Sequence, residues 1–186
     1  MAIFSMKVQL GDTWVTLRNA EPDDAQTLIS LLLQMDTETT FLTREPGEFT
    51  MTEEKERAFI EARKQMPNMR FAVAEVDGRI VGMSDASYDT GLRYRHRGEV
   101  AISILRDYWG RGIGRTMMQM GIDWLQENGV EKVNLAVDTQ NRRAIALYHS
   151  LGFLVEGTVR HDKRLPDGTY RDKYYMGLLL PRKETT

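Results

Sequence analysis

The residues best suited to chemistry lie in the stretch Ile102-Ser103-Ile104-Leu105-Arg106-Asp107-Tyr108-Trp109-Gly110-Arg111-Gly112-Ile113-Gly114-Arg115. It sets Gly110, Gly112 and Gly114 between a strand-like run and a helix-like run. Glycine lets the backbone come close to a ligand and adopt positive φ. A helix that starts after such a turn has N–H groups without partners, backed by the positive end of its dipole. Together these make a seat for a pyrophosphate, and Arg111 and Arg115 add charge at its rim. The spacing is neither that of a dinucleotide fingerprint nor that of a P-loop, since no Gly-Lys-Ser/Thr follows. The same residues also suit a plain strand-to-helix turn with surface arginines, and the glycines alone leave both readings open.

Other chemistries are poorly supported. The chain has no cysteine, which excludes disulfides, thiolate metal sites and an acyl-cysteine intermediate. That composition is compatible with a reducing, cytoplasmic setting. His96, His149 and His161 have no zinc-ligand spacing and fall into no Ser/His/Asp set. All three read as surface residues, and no metal is expected. A net charge of −2 gives no basic excess of the kind nucleic-acid binding needs. No apolar run approaches the roughly 18 residues of a membrane span. The apolar patch over residues 1–10 lacks the long stretch and cleavage site of a signal peptide. With 186 residues, 41% hydrophobic and 28% charged, residues 1–186 are expected to form a single domain with a sizeable core.

Strand and helix signals alternate along the chain, as in a mixed α/β sheet. Residues 14–18 read as a strand. Glu21-Pro22-Asp23-Asp24 starts a helix whose apolar face is Ala25, Leu28, Ile29 and Leu32. Residues 36–49 read as a loop. Thr50 and Glu53 suggest a capping box for a second helix, with Phe59, Ala62 and Met66 as its buried stripe. Residues 70–76 and 79–87 form strands joined by the tight turn Asp77-Gly78. Residues 88–98 read as a polar, arginine-rich loop. Residues 99–105 alternate as a strand, with Val100, Ile102 and Ile104 on one side. A helix is expected over 112–126, ended by Asn128-Gly129. A buried strand carries Val133, Leu135 and Val137. A further helix presents Ala144, Leu147, Tyr148 and Leu151, closed by Gly152. Residues 153–161 and 170–180 read as a final antiparallel pair around Asp167-Gly168, and Pro181 stops the last strand.

The second informative stretch is Asn141-Arg142-Arg143-Ala144-Ile145-Ala146-Leu147-Tyr148-His149-Ser150-Leu151-Gly152-Phe153. Here the chain resembles the GNAT superfamily of acetyl-CoA-dependent N-acetyltransferases, bacterial type. That family's pattern Asn-x-x-Ala-x-x-Leu-Tyr-x-x-x-Gly-Phe is matched at Asn141, Ala144, Leu147, Tyr148, Gly152 and Phe153. Its pyrophosphate turn, Gln/Arg-x-x-Gly-x-Gly/Ala, is matched at Gly112 and Gly114, with Trp109 in place of the first residue. The run from Asp167-Gly168 to Tyr175-Met176 is similar to the last hairpin of bacterial members. The resemblance spans residues 15–180.

The resemblance implies a mixed, mostly antiparallel central sheet flanked by helices, with its two central parallel strands splayed apart. Those strands would be 99–105 and 133–138. Acetyl-CoA is then the implied cosubstrate. Ile102, Ser103 and Ile104 would meet its pantetheine arm. The amides from Gly110 through Arg111, Gly112, Ile113 and Gly114 to Arg115 would hold the pyrophosphate. Asn141, Ala144 and Tyr148 would complete the binding site, and Arg142 and Arg143 could meet the nucleotide's 3′-phosphate. Tyr148 holds the position of the general acid that protonates the departing thiolate, although its place on an apolar face equally suits a core aromatic. Glu99 is the first choice for the base, against a solvated strand-end carboxylate. Relatives that acetylate ribosomal-protein N-termini often carry a glutamate where this chain has Ala136. The acceptor implied is an amine, either a small molecule or a protein N-terminus. Nucleic-acid and membrane partners are not expected, and homodimers are common in the family. The competing readings are an idle acyl-CoA-binding or sensing module on the same fold, and a structural dimer without a ligand.

Overall fold

The computed structural model describes residues 4–182. Residues 1–3 of the N-terminal patch and residues 183–186, both inside the expected 1–186 domain, lie outside the described residues. The described strands are β1 (Ser5–Leu10), β2 (Thr13–Asn19), β3 (Met69–Val76), β4 (Arg79–Tyr88), β5 (Arg97–Ile104), β6 (Lys132–Asp138), β7 (Leu154–Arg164) and β8 (Tyr170–Leu179). They form one sheet in the order β1-β2-β3-β4-β5-β6-β8-β7. Every neighbouring pair is antiparallel except β5 with β6. The helices are α1 (Ala25–Glu38), α2 (Glu53–Gln65), α3 (Ile113–Glu127) and α4 (Arg142–Ser150). This is the mixed, mostly antiparallel sheet with flanking helices that the resemblance implied. No helix among the described residues is long and apolar enough to cross a membrane.

Local chemistry explains most element boundaries. Asp77 and Gly78 both take positive φ, 49° and 77°, so the β3–β4 hairpin has the turn its twist requires. Before α1, Pro22–Asp24 forms one 3-10 turn, and Glu21 and Asp24 cap it reciprocally. The Asp24 carboxylate is gripped by both terminal nitrogens of Arg18, at 2.7 and 2.8 Å. Helix α3 lies across β5, and Gly121 allows the close approach. A methyl group there would sit 2.8 Å from Val100 Cγ2.

Four expectations need correction. The N-terminal patch contains a strand, β1, whose alternating Met6, Val8 and Leu10 carried a signal that its short length obscured. Helix α1 continues to Glu38, because Met35 and Asp36 are buried and prolong the inward face. The cap of α2 is Thr52, whose hydroxyl accepts from the Lys55 amide, rather than Thr50. The buried face of α2 is Glu56 and Ile60, not Phe59, Ala62 and Met66. Phe59 instead lies over the Arg63 guanidinium at 4.5 Å, and Arg63 pairs with Asp85 on β4. Burial pushes the Glu56 carboxyl up, and the positive charge of Arg63 opposes it. A helix carrying so many charges hides its inward face from periodicity, because here the charged Glu56 takes a core position beside Ile60.

Candidate functional site

Strands β5 and β6 stay together for only three rungs: Arg97↔Lys132, Gly98↔Val133 and Glu99↔Asn134. Beyond Glu99 they part. The outer neighbours keep their pairing, since β4 follows β5 to Ile104 and β8 follows β6 to Asp138. The inner edges of both strands therefore present backbone groups to a gap. Buried backbone groups require partners, so a gap of this kind suits a ligand with amide groups along its length.

A cavity of about 320 Å³ fills that gap. Its walls include Ile102, Ser103 and Ile104 of β5, Gly110, Gly112, Gly114 and Arg115 of the glycine turn, and Asn141, Arg143, Ala144, Leu147 and Tyr148 around α4. The end of α1 and the loop after it close the far side with Met35 and Glu38, then Thr39, Phe41 and Leu42. Most of the residues singled out from sequence are thus brought together. Arg111 and Ile113 are not part of this lining. Arg111 lies over the Tyr108 ring at 5.0 Å, and Ile113 is buried in the core, although its amide belongs to the turn. Glu99 is exposed on β5 at the last paired rung and does not line the cavity either.

The glycine turn has the geometry of an anion seat. Gly110 and Gly112 have φ of 79° and 87°, values that L side chains rarely adopt. Gly112 is the N-cap of α3, and no side chain caps that helix. By contrast, Thr52 caps α2 and Asn141 caps α4. The first-turn N–H groups of α3 thus point outward with the dipole behind them. Gly114 serves differently. A methyl group there would stand 3.3 Å from the Cδ1 atoms of Ile102 and Ile104 and 3.4 Å from Leu147 Cδ2, so its smallness lets α3, α4 and β5 meet beneath the turn. Leu10 of β1 supports Gly112 from below, its Cδ atoms 3.7 Å from where a methyl group would stand.

Trp109, the departure from the family pattern, has a defined task. Its indole N–H donates to the Ile104 carbonyl at 2.7 Å, which ties the turn back to the end of β5. Arg143 lies over the same ring at 5.6 Å and crosses from α4 to the glycine turn. Arg115 donates to Ser150 at 2.5 Å and braces α3 against α4. Sequence reasoning placed Arg143 among the anion contacts but could not show its stacking on Trp109.

Tyr148 is 8% exposed. Its ring sits 6.0 Å from that of Phe153, yet the residue reaches the cavity wall. Tyr148 is therefore the core aromatic that its apolar face suggested, and it also borders the cleft. Burial pushes its hydroxyl up to about 12, so it stays protonated at neutral pH and can donate. The Asn141 side-chain oxygen accepts from the Ala144 amide at 3.1 Å. That bond fixes the side chain at the start of α4 and commits its oxygen, leaving the amide nitrogen as its donor. Glu38 also lines the cavity. Its carboxylate accepts from the Arg106 amide and from Gln34, both at 2.7 Å, and so joins α1 to the segment after β5. Among the described residues no group of His, Asp and Glu side chains is arranged to hold a metal ion.

A splayed parallel pair, a glycine turn at an uncapped helix start and a tyrosine in the cleft define a class of acyl-CoA-using transferase folds. The family comparison agrees, because residues 32–153 match the acetyltransferase (GNAT) family. The chain belongs to that family. It is 32% identical over 114 residues to the L-amino acid N-acetyltransferase AaaT of Escherichia coli (strain K12), which covers 59% of this chain and 68% of that protein. Two further curated relatives are spanned over only 45% and 28% of their own lengths. A GNAT-family acetyltransferase from Streptococcus pneumoniae has a similar structure, with a TM-score of 0.83 and 30% identity over 89% of this chain and 99% of that one. The fold is also shared with yncA from Salmonella typhimurium, solved with its cofactor acetyl-CoA, at a TM-score of 0.77 and 22% identity over 92% of this chain and 97% of that one.

Proposed function

We propose that this chain is an acetyl-CoA-dependent N-acetyltransferase that passes the acetyl group directly to a primary amine. The observation that carries this reading is the union of three features in one cavity: the uncapped start of α3 at Gly112, the unpaired edge of β5 and the protonated hydroxyl of Tyr148. The amides from Gly110 to Arg115 hold the pyrophosphate. The backbone of Ile102, Ser103 and Ile104 pairs with the pantetheine arm as an added strand would. Asn141 donates to the same arm, and Ala144 keeps the wall low. This places the thioester in the gap between β5 and β6.

An alkylamine is mostly protonated at neutral pH, with a pKa near ~10.4, so the site must take a proton before the nitrogen can attack. Glu99 lies at the fork of the two strands and outside the lining, so it would accept that proton through water. The nitrogen then attacks the thioester carbonyl, a backbone N–H of β5 steadies the oxyanion, the nitrogen gives up its second proton to solvent, and the carbon–sulfur bond breaks. Tyr148 gives its proton to the departing thiolate and regains one from solvent. The acceptor is a small-molecule amine or a protein N-terminus. The walls Met35, Phe41 and Leu42, together with the engagement of Glu38 by Arg106 and Gln34, favour an acceptor with an apolar body over a polyamine. Exposed Leu154, Val155 and Leu179 on β7 and β8 support a homodimer through that end of the sheet.

The test is release of free thiol from acetyl-CoA across a panel of amines. It should include aliphatic and aromatic monoamines, amino acids, spermidine and short peptides. Turnover is expected with apolar amines or apolar peptide N-termini. Heat of acetyl-CoA binding without thiol release on any amine would instead support the sensing module, and no binding at millimolar concentration would remove both.

A further inference from the structure

The splay that opens the cleft also divides the sheet, since only three rungs join β1–β5 to β6–β8. One side chain bridges the two parts at the acceptor end. Lys163, near the end of β7, places its Nζ 3.0 Å from Asp138 Oδ2 at the tip of β6. The same Nζ donates to the carbonyls of Thr40 at 2.6 Å and Leu42 at 3.3 Å. Those carbonyls belong to the loop between α1 and α2, on the opposite side of the gap. Phe41 and Leu42 of that loop form the cavity wall.

The Asp138 side chain is only 4% exposed. Its other oxygen accepts from the Gln140 amide at 2.8 Å, and Arg171 of β8 approaches at 3.8 Å. A buried carboxylate held in this way is a fixed anchor, because leaving it unpaired is costly. The ammonium thus donates two hydrogen bonds to the loop and forms an ion pair with the carboxylate on β6. The loop has a second anchor nearer its own helix, where Arg44 grips the buried Asp36 at 3.0 and 3.2 Å. That anchor holds the loop to α1 but does not cross the cleft.

Building on the N-acetyltransferase reading, we propose that Lys163, seated on Asp138, is a positioning residue that straps the loop over residues 39–49 across the cleft and thereby sets the acceptor wall. The strap lies away from the glycine turn, so it governs the amine and not acetyl-CoA. Its geometry also predicts an order among variants. Lys163→Met removes the strap and leaves Asp138 with Arg171 alone. Lys163→Met/Asp138→Asn removes the strap and the buried charge together, which restores stability without restoring the loop.

Hydrogen exchange and steady-state kinetics on the full chain decide the matter. In Lys163→Met and in the double variant, amides of residues 39–49 should exchange about 10-fold faster or more, while α3 and β4 keep their protection. The amine KM should rise about 5-fold or more, with acetyl-CoA affinity by calorimetry unchanged. Lys163→Arg should recover part of the loop protection. The double variant keeps the test valid if Lys163→Met folds poorly. Unchanged exchange over residues 39–49 in the folded variants overturns the proposal, as does an equal loss of acetyl-CoA affinity. If the wild-type chain acetylates no amine, the function reading fails, and the exchange result still decides whether the strap exists.

Discussion

Tyr148 is a packed core residue to which the proposed mechanism also gives a proton to deliver. Its ring is packed beside Phe153, and that burial raises its hydroxyl to about 12. A phenol held so high keeps its proton across the range in which enzymes work, so it is present in the donor form, as a weaker acid than an ordinary tyrosine. Turnover should therefore show no loss from tyrosine ionisation up to about pH 10, the ordinary range of the residue. Tyr148→Phe keeps the ring and removes the proton. It should lower kcat about 100-fold, the usual scale for one general acid, with acetyl-CoA affinity unchanged by calorimetry. A fall in affinity equal to the fall in kcat would assign the hydroxyl to binding instead. Trp109 teaches a related lesson. It departs from the family pattern, yet its N–H fastens the turn to Ile104, so the position still serves the turn by other means.

At the scale of elements, the contrast among helix starts is informative. Helices α2 and α4 have side-chain caps, and α3 has none. A helix start without a cap costs stability, and at α3 that cost falls at the mouth of the cleft, where a bound anion would repay it. Gly112→Ala should test this directly. The residue must hold φ near 87°, which costs an alanine about 1–2 kcal/mol, and relaxation would turn the N–H groups away. Acetyl-CoA affinity is expected to fall about 10-fold, with the amine KM little changed. Gly114 is different in kind: its φ is ordinary, and its role is to let two helices and a strand approach one another.

For the molecule as a whole, the open edge between β5 and β6 is a liability that a ligand can remove. Between them the two parts of the sheet are held by three rungs, the helices and the Lys163 strap. A ligand lying in the gap should stabilise both parts together. At about 100-fold excess over Kd, acetyl-CoA should add about 2.7 kcal/mol to unfolding stability, read as a rise in thermal midpoint. Under hydrogen exchange, protection should spread along the facing edges of β5 and β6 past Glu99. A gain confined to the start of α3 would mean that the nucleotide end binds without the arm entering the gap.

The sequence by itself determined the elements that local rules govern. Asp77-Gly78 pointed to a tight turn, Val133, Leu135 and Val137 to a buried strand, and Gly110 and Gly112 to a turn where side chains would be strained. The motif at residues 141–153 then indicated where the cleft must lie. What the sequence could not decide were features set by partners distant along the chain. Glu56 lies buried within reach of the positive charge of Arg63, and Arg63 pairs with Asp85 on another element. Glu99 falls outside the cavity because the strands part just past it, and strand divergence leaves no mark on side-chain alternation. Lys163 crosses to a loop 121 residues away. Such contacts arise only when the chain folds back on itself, since they depend on where backbone atoms meet in space and not on the spacing of residue types.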